Sequence, residues 1–108
     1  MNLSATSIIG DSVRNGAGED LGNIEDLMVD VNGADVSYAV LSFGGFLGIG
    51  DKLFAVPLQA MTLDTENKCF VLNESKERLE NAPGFDKDHW PNHSDPAWQN
   101  QVRSYYNL

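Results

Sequence analysis

His89 and His93 stand four residues apart in a stretch that also holds Asp86, Asp88 and Asp95, a set that could form a weak divalent-metal site. Pro91 lies between the two histidines, so the helical spacing that would put both imidazoles on one face does not follow. The plainer reading is two solvated histidines in a polar loop, and no metal or other cofactor is expected. Residues Gly45-Phe46-Leu47-Gly48-Ile49-Gly50-Asp51-Lys52 come close to a phosphate-binding loop. That chemistry fails because Asp51 stands where the motif needs lysine and Leu53 replaces the metal-binding hydroxyl. A carboxylate there repels phosphate. Asp30-Val31-Asn32-Gly33-Ala34-Asp35 has the composition of a calcium loop, but its glycine comes at the fourth position instead of the sixth.

Nucleophilic catalysis finds no pattern either. None of the serines sits in a G-x-S-x-G elbow. Cys69 falls in a predicted strand, where a buried structural thiol is the expected role. Glu25 and Asp26 are adjacent in another predicted strand, so they point to opposite faces and cannot share a substrate directly. The expectation is a protein that is not an enzyme.

The elements that would position these residues are short. A chain of 108 residues makes one small domain, and 42% hydrophobic against 21% charged residues is a balance that can build a core. Sixteen acids against seven bases leave a net charge of −9, which disfavours nucleic acid and anionic membranes as partners. A single cysteine permits no internal disulfide. Met1–Gly10 has no basic n-region, and the longest uncharged run, Val36–Gly50, is too short and too glycine-rich to cross a bilayer. The expected location is the cytoplasm, with no membrane insertion.

Strands are predicted at Ser12–Arg14, Asn23–Val31, Val36–Phe43, Leu53–Val56, Met61–Leu63 and Cys69–Leu72. The second has imperfect alternation, as a bulged strand would. The third is apolar on both faces and is placed centrally. Asn32-Gly33 is the strongest hairpin signal in the chain. Strands this short with tight turns suggest a barrel closed to hide its edges, with Phe46, Leu47 and Ile49 covering its mouth. Ile24, Leu27, Val29, Val40, Leu41, Leu53, Val56 and Leu72 are the expected core. After Asn73 the character changes: Ser75 caps a short helix that ends near Asn81. Asp95 caps another with Pro96 at its first position. Trp98, Val102 and Tyr105 form one apolar stripe on that second helix. Residues 1–74 are therefore read as the barrel, and 75–108 as a helical and looped extension packing on it or on a neighbouring subunit.

Ile9-Gly10, Val13, Asn15, Gly18-Glu19, Leu21-Gly22, Ile24, Asp26, Val29-Asp30, Gly33 and Val36, in this order, resemble the opening of a PRC-barrel domain. The likeness continues through Tyr38–Gly50 and Ala55-Val56-Pro57, covers Ser7–Leu72, and extends into Ala82–Asp86 and Trp90-Pro91. That family is named for the cytoplasmic domain of the photosynthetic reaction-centre H subunit. Related domains occur in a ribosome-maturation factor and as short free-standing bacterial proteins. The resemblance implies a six-stranded β-barrel serving as an adaptor or assembly module, with no common catalytic site. Without that subunit's membrane helix or an RNA-handling domain, the sequence looks most like the free-standing group.

The functional expectation is a non-catalytic protein-interaction or assembly module. The alternative is a small-ligand or divalent-metal-binding protein using the acidic segment around His89 and His93. The expected partners are a second copy of the chain and an unidentified protein. Candidate contacts are Phe46, Leu47 and Ile49 on the loop, and Trp98, Val102 and Tyr105 on the last helix.

Overall fold

Turn chemistry cuts the chain into short extended segments, and these associate into one sheet. The computed structural model describes residues 2–43 and 52–108. A single helical turn, α1 (Ala5–Ile8), precedes β1 (Ser12–Arg14), β2 (Asp20–Asp30), β3 (Asp35–Phe43) and β4 (Lys52–Pro57). A 3-10 turn at Leu58–Ala60 leads into β5 (Met61–Asp64) and β6 (Cys69–Leu72). The chain ends with α2 (Lys76–Glu80), β7 (Gly84–Phe85) and α3 (Pro96–Tyr105).

The mainly-β class is as expected, but the strand count and the closure are not. Among the described residues, seven strands form one sheet in the order β5-β6-β1-β2-β3-β4-β7, not a closed ring of six. The added strand is β7, which pairs through Gly84 and Phe85 with Phe54 and Leu53 on the edge of β4. Gly84 makes this approach possible. A Cβ on it would lie 2.8 Å from the Lys52 side chain and 2.9 Å from the Leu53 carbonyl oxygen. At the other end, β1 pairs parallel with β6 through Val13–Phe70 and Arg14–Val71, a contact between distant segments that no turn signal announces.

Two register shifts interrupt β2 against β3, one between Ile24 and Asp26 and one between Met28 and Val29. Each resets the inside–outside alternation. This overturns part of the expected core: Val29 is 62% exposed and Leu27 is half-buried, whereas Ile24, Val40, Leu41, Leu53, Val56 and Leu72 are buried. Strand β3 is central, as its two apolar faces predict, with Tyr38–Leu41 buried throughout.

Two of the described hairpins, β2–β3 and β5–β6, use one device. In β2–β3, Asp30 Oδ1 accepts the Asn32 and Gly33 amides at 3.1 and 3.2 Å, and Ala34 carries the positive φ of 56°. In β5–β6, Asp64 Oδ1 accepts the Glu66 and Asn67 amides at 3.1 and 3.2 Å, and Lys68 lies at φ 52°. The Asn32-Gly33 signal therefore marks the right turn, but the left-handed residue is Ala34. The helix caps match the sequence reading. Ser75 accepts from the Arg78 amide, and Asp95 accepts from the Ala97 amide with Pro96 following. The first turn, α1, was not anticipated; Ser4 caps it.

One core unites the sheet and the helices that follow it. Val13, Leu21, Leu41, Phe54 and Leu72 share it with Leu79 of α2 and with Val102 and Tyr106 at the end of the chain.

Candidate functional site

Helix α3 lies on its own sheet, chiefly on β4. Val102 is fully buried, so no part of it is left for a partner. The Trp98 ring packs against Tyr38 of β3, with centroids 5.4 Å apart. Tyr105 is tied to α2: its hydroxyl donates to the Arg78 carbonyl at 2.5 Å, and Arg78 Nη2 returns a bond to the Tyr105 carbonyl at 2.5 Å. The Arg78 guanidinium also sits 4.1 Å above the Tyr105 ring centroid, and Glu74 pairs with it at 3.1 Å. The stripe predicted on this helix exists: Val102 is buried in its own chain, and Trp98 and Tyr105 are half-buried against it. Phe46, Leu47 and Ile49 lie outside the described residues.

The two histidines do different things. His89 is exposed, with its Nδ1 3.9 Å from an Asp86 carboxylate oxygen. His93 instead sits in an aromatic cluster. Its ring centroid lies 5.7 Å from Phe85, 5.7 Å from Trp90 and 4.5 Å from Trp98. Burial there disfavours the imidazolium and pushes the pKa of His93 down, and among the described residues neither ring nitrogen has a hydrogen-bond partner. Its main-chain carbonyl accepts from Gln99 Nε2 at 2.7 Å, which pins the segment to the start of α3. Sequence reasoning missed this role. The signal was the recurrence of Phe85, Trp90, His93 and Trp98 in an otherwise polar tail.

Beside this cluster a cleft of about 410 Å³ opens between the end of β2 and the start of α3, lined by Met28, Val29, Val31, Tyr38 and His93 among others. Val29 and Val31 on its rim are 62% and 85% exposed. A larger, shallower groove of about 920 Å³ runs between α2 and α3 past Glu74, Arg78, Gln101 and Tyr105. Cys69 is buried in β6. Among the described residues, no three His, Cys, Asp or Glu side chains converge as a metal site would require. No described helix is long and apolar enough to cross a membrane.

A search of curated proteins finds no match. The family model of the PRC-barrel domain matches residues 1–79, which takes in all of β1–β6 and reaches the buried Leu79 of α2. With the mainly-β sheet that those residues build, the chain belongs to the PRC-barrel domain family.

Proposed function

We propose that this chain is a non-catalytic interaction or assembly module that self-associates as a homodimer and presents the same barrel to a protein partner. The observation that carries the reading is the apolar surface left bare at the end of β2, where Val29 and Val31 are 62% and 85% exposed. Two valines held beside a cleft on a polar chain cost solvation free energy unless something covers them. Family membership supports the same reading. Two copies at −9 each repel at long range, so the contact needs an apolar centre and strengthens as salt screens the acids. Sedimentation of the wild type and of the Val29→Ser/Val31→Ser variant over a range of concentrations tests it. The expected result is a dimer that the double substitution dissociates. A monomer at every concentration, with the native circular dichroism spectrum, defeats self-association. Affinity capture then reads the second arm, with the same variant as the comparison for loss of the bound protein.

The alternative, a small-ligand or divalent-metal protein, draws support from the cleft against His93 and from the His89–Asp86 pair. Calorimetric titration with zinc, repeated on His89→Ala and His93→Ala, separates it from the first reading. Stoichiometric, histidine-dependent heat favours the alternative.

A further inference from the structure

The sequence contains two Asn-Gly pairs, Asn15-Gly16 and Asn32-Gly33, and the fold treats them in opposite ways. Asn15 is 8% exposed, and its side chain is held at both ends. Its Nδ2 donates to Glu19 Oε1 at 2.7 Å and to the Glu74 carbonyl at 3.2 Å. Its Oδ1 accepts from the Ala17 and Glu19 amides at 3.1 and 2.9 Å. Asn32 lies exposed at the tip of the β2–β3 hairpin, and among the described residues its side-chain amide makes no hydrogen bond. Glycine follows it, and a Cβ there would stand 2.9 Å from Asp30 Oδ2, so a larger residue would displace the Asp30 cap. The bare backbone that admits the Asp30 cap also leaves the Gly33 nitrogen unhindered toward the Asn32 side chain.

We propose that Asn32 is a site of spontaneous, backbone-assisted deamidation and that Asp30 is its brake. Hydroxide removes the Gly33 amide proton, and the nitrogen forms a bond to Asn32 Cγ. The Cγ–Nδ2 bond breaks, and the departing nitrogen takes up a proton from water to leave as ammonia. The resulting five-membered imide adds one water at either of its carbonyls. Opening at one carbonyl gives aspartate; opening at the other gives isoaspartate, with one more methylene in the main chain. No oxidant or reductant takes part. Asp30 slows the first step because its carboxylate accepts the Gly33 N–H at 3.2 Å, and a fixed negative charge there opposes an amide anion. Either product adds a carboxylate to a tip that already carries Asp30 and Asp35, and isoaspartate also lengthens the turn between β2 and β3.

The experiment incubates the folded chain in mildly alkaline buffer and follows both Asn-Gly peptides by mass spectrometry, with a denatured sample in parallel. In the denatured chain the two sites convert at similar rates. In the folded chain Asn32 converts more than about a hundredfold faster than Asn15, whose four hydrogen bonds must break first. Asp30→Ala speeds conversion at Asn32 severalfold and leaves Asn15 intact, which also reports that the variant is folded. The proposal is overturned if Asn32 survives in the folded chain as well as Asn15 does, or if Asp30→Ala slows its conversion.

Discussion

Gly22→Ala should be among the most damaging single-methyl additions this chain can receive. Gly22 lies in β2 at φ 107°, opposite Val13 of β1. A Cβ on it would collide with the Ser42 carbonyl oxygen of β3, and would lie 3.1 Å from that carbonyl carbon and 3.2 Å from Phe43 Cα. All three atoms are backbone, so no rotamer change relieves the contact and the β2–β3 pairing at Asn23–Ser42 has to open. Left-handed backbone costs an L-residue about 1–2 kcal/mol. Overpacking adds about 1–3 kcal/mol, and the stiffer unfolded chain returns about 0.4–1 kcal/mol. The net is a loss of about 1–5 kcal/mol, set against the roughly 5–15 kcal/mol that holds a domain together. Gly10 and Gly18 supply the controls. Their φ values are 98° and 82°, and a Cβ on either meets nothing within 4 Å. Alanine there carries the backbone cost without the collision, about 0–1.5 kcal/mol net. Urea titrations followed by tryptophan fluorescence and circular dichroism compare the three variants at constant m-value. If Gly22→Ala is no worse than Gly18→Ala, the close approach of β2 to β3 at Ser42 is refuted, and with it the register drawn for that pair.

Ala34→Gly and Lys68→Gly should each raise stability by up to about 1 kcal/mol, because each residue holds a positive φ that glycine adopts without strain; the chemical midpoint reads the gain. Leu41→Ala, which empties a fully buried site in the central strand, should cost about 2–5 kcal/mol in the same titration. For His93, burial holds the folded-state pKa below the ordinary 6.5, so the unfolded chain binds the proton more readily. The stability this group contributes is therefore present above pH 6.5 and is lost as the pH falls through its folded value. His93→Gln should remove that part of the acid sensitivity, seen as urea midpoints for wild type and variant that converge on acidification. A constant difference between them would contradict the burial of the imidazole.

Local chemistry was enough to read the strands and the helix caps. Alternation and turn residues located β1 through β6 to within a few residues. A hydroxyl or carboxylate side chain that accepts an amide two or three positions on places a helix start whatever packs against it, as Ser75 and Asp95 do. The two-sided apolar pattern of β3 likewise implied its central position. What was not legible depends on contacts between distant segments. The parallel pairing of β1 with β6, and the addition of β7 to β4, unite residues with no local signal in common. Val29 looked like core because alternation was extrapolated through β2, yet a register shift against β3 turned it outward. His93 looked like a solvated ligand candidate because its neighbours in sequence are polar. Its neighbours in space are Phe85, Trp90 and Trp98, which close around it only when β7 pairs with β4 and α3 docks on the sheet. The same docking decides which apolar groups are spare: it consumes Val102 and leaves Val29 and Val31 in water, a choice that periodicity along one element cannot express.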